Sequence, residues 1–135
     1  MKLQVGAKAL IENEGRYLLL LRSEGLLDGK GILWDIPGGR IVPTEPVLDG
    51  LAREIQEEAH LQLRPGARLL IAQDIFVHEK DLHVVRLTFL TKATGTIRVS
   101  EQHQEYRWVS REQALEMAID PRLQELFSKL PEILS

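Results

Sequence analysis

Cysteine is absent from the 135 residues, which excludes a disulfide, a thiolate zinc site and a nucleophilic thiol. Long apolar runs are missing too. Nothing approaches the roughly 20 residues that a membrane-crossing helix needs, and the opening Met-Lys-Leu-Gln-Val-Gly lacks the apolar core of a signal peptide. The cytoplasm is therefore the expected location, with no membrane partner. Neither sign of charge dominates: 17 Lys and Arg against 20 Asp and Glu leave a formal net charge of −3. That balance argues against a general nucleic-acid or membrane-surface binder. No internal repeat, low-complexity tract or linker interrupts the chain. Hydrophobic content of 44% and charged content of 27% are ordinary for a globular protein, and the length suits one domain over residues 1–135.

The informative stretch is residues 34 to 61. Trp34-Asp35-Ile36-Pro37-Gly38-Gly39-Arg40 precedes a segment in which Leu48, Leu51, Ala52, Ile55 and Ala59 recur at helical spacing. At about 100° per residue, Glu54, Glu57 and Glu58 gather on a different sector from that apolar stripe. Three carboxylates within roughly 6 Å of helix rise repel one another unless something neutralises them. A hard divalent cation with oxygen ligands does so well, and Mg²⁺ is the usual partner of carboxylates and phosphates. The competing reading is a solvated acidic face. Against it stand the preceding Pro-Gly-Gly turn, the adjacent Arg53, and Gly50 inside the helix, where glycine costs about 1 kcal/mol relative to Ala. Close approach of the Pro37–Gly39 loop is one reason for Gly50, and that loop would offer a backbone carbonyl as a further ligand. Thr44 is expected to cap the helix, with Pro46 in its first turn.

Around this stretch the pattern is one of strands. Leu3 to Glu12 and Tyr17 to Arg22 flank a turn at Asn13-Glu14-Gly15, and the run Leu18 to Leu21 reads as a buried strand. Ser23 to Ile32, with three glycines, is expected to be a loop near the site. Ile41-Val42 suggests a brief strand. Ala67 to Val77 and Leu82 to Thr91 form a hairpin around Glu79-Lys80-Asp81, whose second strand sets Val85, Leu87 and Phe89 against a less buried face with Arg86 and Thr88. His78 and His83 read as solvated hairpin histidines. Ser110-Arg111-Glu112-Gln113 is a capping box for a helix to about Ile119, and Asp120-Pro121 opens another with Leu123, Leu126, Phe127 and Leu130 on one face. Strands interrupted by one central helix, with helices at the end, predict an α/β fold with a mixed sheet between helical layers.

The spacing resembles the Nudix box of the Nudix hydrolases: Gly39, five residues, Glu45, seven residues, then Arg53-Glu54-Ile55-Gln56-Glu57-Glu58-Ala59-His60-Leu61. Every position fits except the last glycine, which is His60 here. Glycine at such a position often adopts a left-handed cap, and His there costs on the order of 1 kcal/mol. The resemblance covers most of the chain and implies an α/β/α sandwich. It implies hydrolysis of nucleoside diphosphate derivatives with Mg²⁺ or Mn²⁺. It implies that Glu54, Glu57, Glu58 and the Gly39 carbonyl form the metal site, with Arg53 orienting the glutamates by pairing with Glu45 or Glu54. It implies substrate contacts from Arg22 and Arg40, with a surface ion pair as the competing reading of Arg22. Trp34 is read as core rather than as a platform for a base. Family members are often dimers, so a homodimer is admitted.

Residues 100 to 109 are similar to the family's Glu-His-any-Glu segment before a Trp. His103, Glu105, Trp108 and Val109 fit the register, with Gln102 in place of the first Glu. Glu105, or alternatively Glu101, is expected as a further ligand or as the base that activates water; the competing reading pairs Glu105 with Arg107. Phe76 stands where a proline associated with ADP-ribose would be, and His78 stands near the place of a tyrosine associated with dinucleoside polyphosphates. The one asparagine is Asn13, so an amide reading a base from the later strands has to be Gln73 or Gln104. The expected substrate is a small-molecule nucleotide: a nucleoside triphosphate, giving monophosphate and pyrophosphate. ADP-ribose, nucleotide sugars, dinucleoside polyphosphates, or nucleotide sensing without turnover are the alternatives.

Overall fold

The computed structural model describes residues 1–23 and 33–135, so most of the glycine-rich loop expected over residues 23–32 lies outside the described residues. The long first strand, β1 (Lys2–Asn13), organises the sheet. Along one edge it pairs in parallel with β7 (Leu82–Thr91), from Lys2 opposite Leu82 to Ile11 opposite Thr91. Along its other edge it has two antiparallel neighbours. Gly6, Ala7 and Lys8 pair with β4 (Gly38–Arg40), and Glu12 and Asn13 pair with β2 (Arg16–Arg22). β2 also pairs with the short β3 (Trp34–Asp35) and with β9 (His103–Val109). β6 (Arg68–Val77) closes the far side against β7, and β5 (Gln62–Leu63) with β8 (Ala93–Thr94) forms a separate small ladder. The sheet is mixed, with β4 and β2 on the same edge of β1.

Helix α1 (Val47–Ala59) packs on one face and the pair α2 (Arg111–Leu115) and α3 (Pro121–Leu134) on the other. The run Leu18 to Leu21 follows from this: Leu18 and Leu20 pack with Leu51 and Ile55 of α1, while Leu19 packs with Phe127 of α3. A strand covered on both faces needs no polar alternation. The same argument corrects the reading of β7. Thr88 is buried, because β7 lies between β1 and β6 and its Arg86–Leu90 side is covered as well.

Three local expectations also change. Ile41 and Val42 are not a strand: Ile41 N–H still donates to Val5 O at 2.9 Å, and then Pro43 and a left-handed Thr44 (φ 71°) turn the chain away. Thr44 therefore does not cap α1; Pro46 holds that position without a side-chain hydrogen bond. The capping box at Ser110 and Gln113 forms, but α2 stops at Leu115 rather than at Ile119, since the following turn brings the Ala118 carbonyl to Trp34 N–H at 2.8 Å. His60 takes the left-handed conformation at the end of α1 (φ 58°), and its ring nitrogen meets Arg98 O at 2.9 Å. No described helix is long and apolar enough to cross a membrane.

Candidate functional site

The turn between β3 and β4 brings the sheet to α1. Gly38 has φ 137°, and a Cβ there would stand 2.2 Å from the Ala7 carbonyl oxygen. A Cβ at Gly39 would stand 2.8 Å from the Glu54 carboxyl carbon. Both glycines are thus required by close approach, and the Gly39 backbone lies against Glu54. Gly50 has a different reason from the expected one. A side chain there would meet Ile41 and Glu45, not the Pro37–Gly39 turn.

Arg53 ties the acidic face together. Its Nε and Nη2 donate to the two oxygens of Glu45 at 2.8 and 3.1 Å, a bidentate pair. Its Nη1 donates to Glu54 at 3.3 Å and to Glu57 at 3.3 Å, and Nη2 reaches Arg40 O at 3.4 Å. The Arg53 hydrogen bonds hold the Glu45 carboxyl below its usual range, against a smaller upward push from burial. Glu58 lies deeper. Burial pushes its carboxyl up to about 7, with Glu54 and Asp35 pushing the same way; the Lys8 charge and the Gly38 N–H, donating at 3.3 Å, act against them.

Cations stand in the same site. Lys8 of β1 donates to Asp35 Oδ2 at 3.1 Å, to Ile36 O at 3.2 Å and to Gly38 O at 3.5 Å, so it pins the turn that carries Gly39. Burial raises the Asp35 carboxyl, but the Lys8 and Arg86 charges and hydrogen bonds from Lys8 and Ile36 N–H outweigh it and hold the group below its usual range. The site holds a cavity of about 590 Å³, to which Glu54, Glu58 and Asp35 bring carboxylates and Lys8, Arg22 and Arg40 bring cations. His103 also lines it, and burial together with the Lys8 and Arg22 charges lowers its imidazole pKa.

The expected residues are not all brought together. Glu54, Glu58, Gly39, Arg22 and Arg40 line one cavity, and Glu57 joins them through Arg53. Glu105 stands apart. The β2–β9 register sets it opposite Leu21, on the α3 side of the sheet, where its nearest cation is Arg107 at 3.7 Å. Glu101 is on the right side. It shares a groove of about 310 Å³ with Glu54, Glu57 and Glu58, in a turn anchored by Ser100 N–H donating to Glu58 O at 3.0 Å. Gln73 is not free to read a base either, since its amide donates to Arg122 O at 3.0 Å and Glu125 Oε1 at 2.7 Å. Lys8 and Asp35 escaped the sequence reading. The signal for Lys8 was a single charge inside the run Ala7 to Ile11.

The acidic wall is chemically suited to a hard divalent cation: carboxylate oxygens beside a backbone carbonyl, and a Glu58 whose carboxyl is raised by burial and would gain from a bound positive charge. Among the described residues no three acidic or histidine side chains already converge as ligands, since Arg53 engages Glu54 and Glu57. Release of Glu54 and Glu57 from Arg53 would let them close on a cation together with Glu58.

Comparison with known proteins identifies the family and the fold. The chain matches the NUDIX domain family over residues 2–130. It is 30% identical, over 114 aligned residues, to the nucleoside triphosphatase NudI of Escherichia coli O17:K52:H18, covering 76% of this chain and 79% of that one. Among solved structures it resembles the MutT NUDIX hydrolase of Burkholderia pseudomallei, with a TM-score of 0.82 and 28% identity over 96% of this chain and 99% of the other. The E. coli ORF135 protein shares the fold, with a TM-score of 0.85 and 24% identity over 100% of this chain and 93% of the other. A β1-centred mixed sheet, a glycine turn against an acidic helix and a match over nearly the whole length lead to one conclusion: the chain belongs to the Nudix hydrolase family and is a pyrophosphohydrolase.

Proposed function

We propose that the protein hydrolyses nucleoside triphosphates to the monophosphate and pyrophosphate, with Mg²⁺ or Mn²⁺ held by Glu54, Glu57, Glu58 and the Gly39 carbonyl. The observation that carries this reading is one cavity lined both by the carboxylates of Glu54 and Glu58 and by the cations Lys8, Arg22 and Arg40. Such a site suits a polyphosphate, whose oxygens the cationic side chains attract while the carboxylates would hold a divalent ion. The ion supplies charge neutralisation on the phosphate oxygens and eases ionisation of the attacking water. Arg22 and Arg40 orient the phosphate chain. Arg53 keeps the helix carboxylates in register through its fork to Glu45. Glu101, facing those carboxylates across the groove, accepts the proton of the water as its oxygen bonds to phosphorus and the bridging oxygen leaves with pyrophosphate. The NudI relative, a nucleoside triphosphatase by name, favours the same substrate class.

The test is a panel of nucleoside triphosphates, ADP-ribose, nucleotide sugars and dinucleoside polyphosphates with Mg²⁺ or Mn²⁺, with products identified. Triphosphates should be turned over fastest and should release pyrophosphate. Release of inorganic phosphate from them, or faster turnover of ADP-ribose, would overturn the reading.

A further inference from the structure

Beside the main cavity lies a smaller one of about 210 Å³, lined by Gln4, Gly6, Val84 and Arg86, which shares Lys8, Gly39 and Arg40 with its neighbour. At about 30 Å³ per water it has room for one planar ring system and little more. Arg86 gives it its chemistry. The residue sits on the central strand β7 opposite Gly6 of β1, and its side chain is 15% exposed. Its Nη1 is buried without a hydrogen-bond acceptor. Its nearest charge is Asp120 Oδ2 at 3.6 Å, in a carboxylate whose other oxygen accepts Leu123 N–H at 2.9 Å. A guanidinium has five donors and no acceptor, and leaving one of its nitrogens buried and unsatisfied is costly.

The missing partner is a neutral acceptor rather than another anion. Each buried cation here already has its own carboxylate, Lys8 with Asp35 and Arg86 with Asp120. An apolar wall at Val84 and a floor without a side chain at Gly6 suit the face of a ring. We infer that this side cavity receives the nucleobase and that Arg86 selects bases whose edge offers two adjacent acceptors, N7 and O6 of guanine or N3 and O2 of cytosine. Adenine sets an amino donor beside N7, which meets the guanidinium donor to donor, and uracil sets an N–H between its carbonyls. This inference rests on the triphosphate reading above and adds the base to it.

The experiment measures kcat/KM of the wild-type protein for GTP, CTP, ATP and UTP, and for 7-deaza-GTP and 3-deaza-CTP, which lack one acceptor of the pair. Arg86→Met and Arg86→Lys are measured beside it, with a thermal melt for each. Wild type should prefer GTP or CTP over ATP and UTP by about tenfold or more, and the matching deaza analogue should lose most of that advantage. Arg86→Met should bring the preferred nucleotide down to the level of ATP, mainly through KM. Should Arg86→Met not fold, the wild-type comparison with the deaza analogues decides alone. Turnover of all four triphosphates at similar rates, or a preference indifferent to the deaza substitution, overturns the inference while leaving triphosphate hydrolysis intact. Absence of turnover on every triphosphate overturns both.

Discussion

Gly39 and Glu54 are packed so closely that the smallest side chain on the glycine would stand 2.8 Å from the carboxyl carbon. The neighbour in this case is the free end of a side chain, which can swing away. Gly39→Ala is therefore expected to fold, with a stability loss of about 1 kcal/mol, while kcat falls by about 10- to 100-fold as Glu54 is displaced. Gly38→Ala meets the Ala7 backbone at 2.2 Å from a φ of 137°, and backbone cannot swing away. It should cost about 2 kcal/mol or more in stability. Paired melts and rate measurements check this contrast; a fully active Gly39→Ala would show that Glu54 is not held to a fixed geometry.

Arg53 touches three carboxylates and does not itself line the main cavity. A lysine in its place keeps the charge but cannot grip both oxygens of Glu45 while reaching Glu54. Arg53→Lys should lower kcat by roughly 10- to 100-fold and raise the concentration of Mg²⁺ needed for half-maximal rate, with KM for nucleotide little changed. A change confined to KM would instead make Arg53 a substrate ligand.

Much of this was legible because it is local. The helical period of α1 and the spacing from Gly39 to Leu61 fix which carboxylates share a face before any tertiary structure forms. The failures concern strands. Whether Glu105 or Glu101 faces α1 depends on the register between β2 and β9, and a one-residue change of register reverses every side chain. The Lys8–Asp35 pair spans 27 positions in sequence and exists because β4 pairs with β1. Thr88 of β7 looked like a solvent-facing residue only because its flanking strands and α3 are distant in sequence.

The two candidate bases separate cleanly. Glu101 shares a groove with Glu54, Glu57 and Glu58, whereas Glu105 points to the other face of the sheet beside Arg107. Glu101→Gln should reduce kcat by about 100-fold, within the usual range for a lost general base. Glu105→Gln should retain activity within about twofold. Glu57→Gln should abolish turnover with its melting temperature unchanged or higher, since it removes like-charge repulsion on α1 at the loss of only an exposed pair with Arg53. If Glu105→Gln rather than Glu101→Gln were the inactive one, the register described for β9 would have to change.

Glu58 links the site to pH. Its carboxyl is raised from 4.5 to about 7, chiefly by burial, so the folded protein binds this proton more tightly than the unfolded chain does. Its contribution therefore favours folding fully below pH 4.5 and is lost as pH rises through about 7. In chelator, wild type should lose melting temperature relative to Glu58→Gln between pH 5 and 8. A divalent cation acts in the opposite direction, because a ligand carboxylate must be ionised. Mg²⁺ should stabilise wild type little at pH 5 and strongly at pH 8, and its binding near pH 6 should release a proton detectable by calorimetry in buffers of different ionisation enthalpy. Parallel melting curves for wild type and Glu58→Gln across this range, with and without Mg²⁺, would mean that Glu58 is neither strained by its burial nor part of the cation site.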